Sequence, residues 1–223
     1  MRRPRFIAEQ ARHAKGPLGR FIAFIMARET WAQNVQAIDA LEVEYGDQVL
    51  DIGSGPGRSI AELAARAPGG RIVGIDPSEL MADIAVRRNA KLVKARRAEI
   101  LVASAASLPF ADESFDKALC VHVIYFWNDL DTAFREIARV MKPGGRFALL
   151  FRTSADERAV SAFPAEVYNF RALRDVVAPL EAAGFAVDTR QDVCDAGTPA
   201  LLIAAKRRTP TKDATAPPRI VGA

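Results

Sequence analysis

Val49-Leu50-Asp51-Ile52-Gly53-Ser54-Gly55-Pro56-Gly57-Arg58-Ser59 decides the fold of this chain. A short apolar run that closes on an acid and then on three alternating glycines predicts a buried parallel strand ending in a tight loop, with a helix starting behind it. Glycine lacks a Cβ, so the loop backbone can take positive φ and approach a ligand closely, while the helix N-terminus offers free N–H groups. The Asp51 carboxylate is expected to point from the strand end into the crevice. Such a loop suits a nucleotide-like ligand.

Working outward, Arg71-Ile72-Val73-Gly74-Ile75-Asp76 is a second apolar run ending in an acid. It lies about 20 residues beyond the loop, where a carboxylate is expected to hold ribose hydroxyls. From Gln48 onward strand and helix patterns alternate, the mark of a doubly wound α/β sheet. The pattern predicts a helix over 58–66 stopped by Pro68-Gly69-Gly70, and another opened by Pro77-Ser78 that includes Met81 and reaches about Asn89. Lys91, Lys94, Arg96 and Arg97 read as a solvated helix face. A third strand is expected over 99–104 and a fourth over 116–122, leading into Val123-Ile124-Tyr125-Phe126-Trp127. A helix over 130–141 should stop at Lys142-Pro143-Gly144-Gly145 before a fifth strand over 146–151. A helix over 170–183 and strands over 185–192 and 199–206 complete the pattern.

Two ligand classes compete for the glycine loop. In the dinucleotide fingerprint the third glycine follows two intervening residues, but here that position is Arg58 and the glycine arrives early as Gly57. An acid ahead of the loop would also repel a pyrophosphate, whereas it suits a cationic amino-acid end. Asp51-Ile52-Gly53-Ser54-Gly55-Pro56-Gly57 resembles motif I of the class I S-adenosylmethionine-dependent methyltransferases. Leu108-Pro109-Phe110-Ala111-Asp112-Glu113-Ser114-Phe115-Asp116 and 136–146, ending in Lys142-Pro143-Gly144-Gly145-Arg146, resemble two further family segments in the family's order. The resemblance covers roughly residues 46 to 152 and is closest to the small-molecule, ubiquinone-biosynthesis-type (methyltransferase type 11) branch.

The resemblance implies a Rossmann-like, seven-stranded, mostly parallel sheet with an antiparallel C-terminal strand, and S-adenosylmethionine as cofactor. Carried over residue by residue, Asp51, Gly53, Ser54, Gly55 and Gly57 would cradle the methionine end and Asp76 the ribose. Met81, Ser104 and Ala105 would take the adenine side, with Pro77 and Val121 completing the set. The family usually places an acid where this chain has Ser104, so adenine contact would lean on the Ala105 backbone and apolar walls. His122, at the end of the fourth strand, would stand near the methyl group, as a base or as a hydrogen-bonded strand-end residue that shapes the pocket. Tyr125, Phe126 and Trp127 would flank a planar acceptor or join the core. The Asn- or Asp-Pro-Pro-Tyr/Phe segment of nucleic-acid and protein amine methyltransferases is absent, so no nucleic-acid partner is expected. The expected reaction is methyl transfer to an O, N or C atom of a small, partly apolar acceptor. A non-catalytic cofactor-binding regulatory or assembly protein and a membrane-surface lipid or quinone methyltransferase are the alternatives.

Composition is compatible with this. The 223 residues are 50% hydrophobic and 26% charged with a formal net charge of +4, ordinary for a globular chain with one full core and mild attraction for anions. Cys120 and Cys194 offer neither metal spacing nor a disulfide framework, which fits a reducing, cytoplasmic setting without a metal. Residues 1–45 carry Arg2, Arg3, Arg5, Arg12, Lys15 and Arg20, a turn at Gly16-Pro17-Leu18-Gly19 and a helix expected over 20–41. By resemblance this segment covers the substrate side as a lid, and it is also suited to weak contact with an anionic membrane surface. His13 lies in this segment. Residues 21–27 imitate a signal peptide, but Arg28-Glu29 follow at once and the run is too short to span a bilayer. Residues 46–206 form the expected cofactor-binding domain, 152–168 part of the acceptor wall, and 207–223 a disordered basic tail. The oligomeric state is left open.

Overall fold

The computed structural model describes residues 3–189 and 198–208. Seven strands form one sheet in the order β3-β2-β1-β4-β5-β7-β6. They are β1 Gln48–Ile52, β2 Arg71–Asp76, β3 Ala98–Val102, β4 Phe115–Val121, β5 Met141–Phe151, β6 Phe185–Thr189 and β7 Ala200–Lys206. Neighbours from β3 to β5 pair in parallel, and β7 pairs antiparallel with both β5 and β6. Strand order reverses between β1 and β4, which in an open α/β sheet places the ligand crevice at their carboxyl ends.

Side chains alternate across each strand, so successive core residues go to opposite faces. On one face Val49, Ile72, Leu119, Ala148 and Leu150 meet α3 (Trp31–Leu41) and α4 (Arg58–Arg66) through Ile38, Leu41, Ile60 and Leu63. On the other, Leu50, Val73, Cys120, Phe147 and Leu149 meet α7 (Leu130–Val140) and, beyond the short α8 (Glu157–Ala162), α9 (Leu173–Ala182) through Phe134, Ile137, Val176 and Leu180. Cys120 is thus a packing residue of a buried strand, while Cys194 lies outside the described residues. Glu79–Arg88 (α5) packs beside β2 and β3, with Ala90–Lys94 (α6) after it.

Several local expectations change. The helix expected over 20–41 is two helices, α2 (Gly16–Glu29) and α3, preceded by α1 (Arg5–Arg12). Gly16-Pro17 opens α2 rather than breaking the chain, because proline in the first turn has its φ preset and no N–H to lose. The division falls at Thr30, whose hydroxyl donates to the Met26 carbonyl (2.9 Å) while its own carbonyl accepts from Asn34 Nδ2 (2.9 Å). Lys142-Pro143-Gly144-Gly145 lies inside β5 as an irregularity: Phe115 pairs with Met141 but Lys117 with Arg146. Arg97 is not merely solvated. Its Nη2 donates to the Ala64 (2.9 Å) and Ala67 (2.6 Å) carbonyls, which the end of α4 leaves without helical partners. The last residues of the strand expected over 185–192, and the tail beyond Arg208, lie outside the described residues.

Candidate active site

A cavity of about 460 Å³ opens at the carboxyl ends of β3, β2, β1 and β4, within the range of small-molecule sites. Sheet order lays its wall out in sequence: Ala103-Ser104-Ala105 after β3, Asp76-Pro77-Ser78 after β2, Gly53-Ser54-Gly55-Pro56 after β1, and Val121-His122-Val123 at β4. Met81 from α5 adds an apolar side, and Phe126 and Trp127 extend the β4 end.

Asp76 is nearly buried and already oriented. Its Oδ2 accepts from the Gly55 N–H (3.0 Å) and its Oδ1 from the Ser78 N–H (2.8 Å), leaving the remaining lone pairs to receive hydroxyls. Burial raises its pKa; the two N–H bonds and nearby His13 act in the opposite direction.

The three loop glycines serve different ends. All have positive φ. A Cβ on Gly53 would lie 2.3 Å from Val123 Cγ2, and one on Gly57 2.7 Å from Ala85 Cβ, so both are closely packed. At Gly55 a Cβ would meet nothing within 4 Å, so this turn borders open space. Beside it Ser54 Oγ is buried without a hydrogen-bond partner among the described residues. That hydroxyl lies under the turn, 2.9 Å from where a Cβ on Gly74 would sit, so the bare Gly55 backbone and the oriented Asp76 carboxylate are the groups that fit a nucleoside-amino acid ligand.

Two expected cofactor residues, Asp51 and Gly57, are not among those lining the cavity. The Asp51 carboxylate, expected in the crevice, is instead sealed behind the turn with 4% of the residue exposed and accepts the Ser59 hydroxyl, while Ser59 does line the cavity. Burial, resisted by the Ser59 bond and aided by the Asp76 charge, pushes the Asp51 carboxyl up to about 7. Gly57 begins α4 and is held from behind by Asn89 Nδ2, which donates to its carbonyl (2.8 Å). Ser104 lines the cavity, and its Oγ accepts from the Ala106 N–H (3.3 Å).

His122 lines the cavity with both ring nitrogens engaged. Nδ1 is 2.8 Å from Tyr125 Oη, and Nε2 is 2.5 Å from Gln33 Oε1. The Arg152 N–H donates to Tyr125 Oη (2.6 Å), so the phenol hydrogen is directed to Nδ1 and Nε2 carries the ring proton donated to Gln33. Burial, then the Arg152 guanidinium, lowers the His122 pKa to about 3, so the ring is neutral. In this arrangement neither nitrogen offers a lone pair to a substrate proton. Tyr125 is a core residue in a ring cluster with Phe126, Tyr168 and Phe170.

The cavity's other wall was not anticipated residue by residue. Gln10, His13 and Ala14 around the end of α1, Ala23, Met26 and Ala27 of α2, and Trp31 and Asn34 of α3 all line it. Ser78 Oγ donates to the Ala14 carbonyl (3.0 Å), and Arg58 Nη1 donates to the Ala27 carbonyl (3.3 Å) while its guanidinium lies 3.9 Å from the Trp31 ring centre. The segment 152–168, expected as acceptor wall, contributes no lining residue. The Ser78 contact had a signal in sequence, since Pro77-Ser78 reads as a helix opening; Arg58 and Ser59 follow the glycine loop but announce no partner.

Sheet order, glycine turn and strand-end carboxylate together define a nucleoside-binding α/β enzyme, and comparison with known proteins agrees. Residues 50–149 match the family described as a methyltransferase domain. The chain is 32% identical over 162 residues to YdaC of Bacillus subtilis (strain 168), an uncharacterised methyltransferase, covering 73% of this chain and 84% of that protein. It is 34% identical over 115 residues to the ubiquinone/menaquinone biosynthesis C-methyltransferase UbiE of Geotalea daltonii, spanning 51% of this chain and about half (49%) of that one. Among solved structures, a SAM-dependent methyltransferase from Aquifex aeolicus has the same fold, with a TM-score of 0.65 at 22% identity over 78% of this chain and 89% of that one. The chain belongs to the class I S-adenosylmethionine-dependent methyltransferases, and S-adenosylmethionine is its cofactor.

Proposed function

We propose that the chain transfers the methyl group to an O, N or C atom of a small, partly apolar acceptor seated between the β4 end and the N-terminal helices. The observation that carries this reading is the makeup of that end of the cavity: Ala23, Met26, Ala27, Trp31, Val123, Phe126 and Trp127 line it, and among the described residues Asp76 is the only carboxylate residue on the wall. When bound, the sulfonium supplies an electrophilic methyl group and a good leaving group. Asp76 and the Gly55 turn orient the nucleoside, and the apolar wall excludes water so that the acceptor is held for in-line approach.

His122 acts here as a positioning residue. Its ring ties the β4 end to α3 through Gln33 and to β5 through Tyr125. An acceptor proton then leaves to solvent, or the nucleophile arrives already deprotonated.

The test is transfer of isotopically labelled methyl from S-adenosylmethionine across a panel of small phenols, amines and stabilised carbanions. Transfer to none, with the cofactor bound normally, would overturn the reading. His122→Asn should lower kcat about tenfold or more without moving the acidic limb of its pH profile, whereas a general base would remove that limb.

A further inference from the structure

Helix α2 is apolar on two sides. Gly19 and Ile22 face the protein, while Leu18, Phe21, Phe24 and Ile25, spaced three and four residues apart, form one outward stripe in which Phe21 is 62% and Phe24 52% exposed. A helix apolar around most of its circumference is ordinarily covered on both sides. No described residue covers this stripe, and residues 209–223 hold only Ile220 and Val221 as large apolar side chains.

The rim of the stripe is cationic. Glu9 and Glu29, the acids of α1 and α2, are held by Arg5 (2.7 Å) and Arg3 (3.3 Å). Lys15 and Arg20, which precede and flank the stripe in the chain, form no ion pair among the described residues. Beside the stripe a second groove is lined by Phe24, Ala27, Arg28, Trp31, Arg58 and Arg88, so three arginines border the end of the apolar stripe. Guanidinium forks on an apolar margin match the phosphodiester layer above acyl chains. A second copy of this chain is a poor occupant, because a twofold contact sets the same patch against itself and opposes these cations.

We propose that the outer face of α2 docks on an anionic phospholipid surface, with Phe21 and Phe24 among the acyl chains and the arginine groove on the phosphodiesters. No described helix is long and apolar enough to cross a membrane, so the contact is peripheral. The inner side of α2 lines the main cavity through Ala23, Met26 and Ala27, so docking sets the cavity cover at the bilayer and gives a lipid-dissolved acceptor a short path inward. Docking itself does not depend on the proposed acceptor, since it is measured without turnover.

The experiment is flotation of the full chain with vesicles of phosphatidylcholine alone and of phosphatidylcholine with phosphatidylglycerol, at rising salt. Binding should require the anionic lipid and weaken with salt. Phe21→Ser with Phe24→Ser should cut partitioning by about tenfold or more. Arg20→Gln and Arg28→Gln should each cut it about fivefold, and these surface changes keep the test alive should the serine variant not fold. Cofactor binding by each variant, measured by calorimetry, reports folding. Absence of flotation with the anionic vesicles, flotation of the serine variant equal to wild type, or a solution dimer that the serine variant dissociates without vesicle binding would each overturn the proposal.

Discussion

One cavity has two walls built on different physical terms. The strand-end wall is tied down by main-chain geometry: Asp76 holds two backbone N–H groups, Asn89 holds the Gly57 carbonyl, and Gly53 packs on Val123. The opposite wall, from α1 and α2, meets the cofactor wall through side-chain links such as Ser78 to Ala14 and Arg58 to Ala27, each reaching a single carbonyl. A fixed cofactor seat facing a lightly fastened cover suits an enzyme that must hold one ligand in place and admit another. Local stability follows buried contacts and satisfied backbone bonds, so the cover is the half expected to open first.

The largest effect should come from Asp76→Ala. Removing two charge-assisted bonds at roughly 1.5 kcal/mol each should weaken S-adenosylmethionine about a hundredfold and abolish turnover. Calorimetry checks this, and near-normal affinity would break the picture of a preset cofactor wall. The glycines sharpen it. Gly53→Ala, which pushes a Cβ against Val123 at positive φ, should cost about 3 kcal/mol of stability and lower the melting temperature. Gly55→Ala should cost only about 1 kcal/mol of stability for its φ, yet lose cofactor binding, because its Cβ enters the open space of the cradle.

A pH series tests the sealed acid behind the turn. Because the folded state raises the Asp51 carboxyl to about 7, the fold holds this proton well above the ordinary carboxylate range and releases it around neutrality. Stability from this group is complete below the ordinary carboxylate range and is lost as pH climbs through about 7. Asp51→Asn keeps an acceptor for Ser59 and should flatten that decline in thermal unfolding of the ligand-free protein. If a cationic ligand end senses this carboxylate, cofactor affinity in the wild type should rise as pH passes about 7 and fail to rise in Asp51→Asn. The smallest effect belongs to the cover. Ser78→Ala removes the cap of α5 and the Ala14 link at about 1 kcal/mol, and should raise acceptor KM and proteolysis within residues 1–28 by more than it weakens cofactor affinity. An equal loss of cofactor affinity would mean that the two walls form one cooperative unit.

What the sequence determined by itself is local. An apolar strand, an acid and a glycine turn are contiguous in the chain, so the strand-turn-helix unit at 48–66, Asp76 at the end of its strand and the alternation that builds the sheet could all be read from spacing. Tertiary structure alone decided which distant groups complete each side chain's bonds. Ser59 returns from the first turn of α4 to close over Asp51, Gln33 arrives from α3 to take the second nitrogen of His122, and Arg97 caps a helix whose end lies some thirty residues upstream. Periodicity encodes the face a residue presents, whereas a buried polar group is satisfied by whatever the packed chain brings within hydrogen-bond reach.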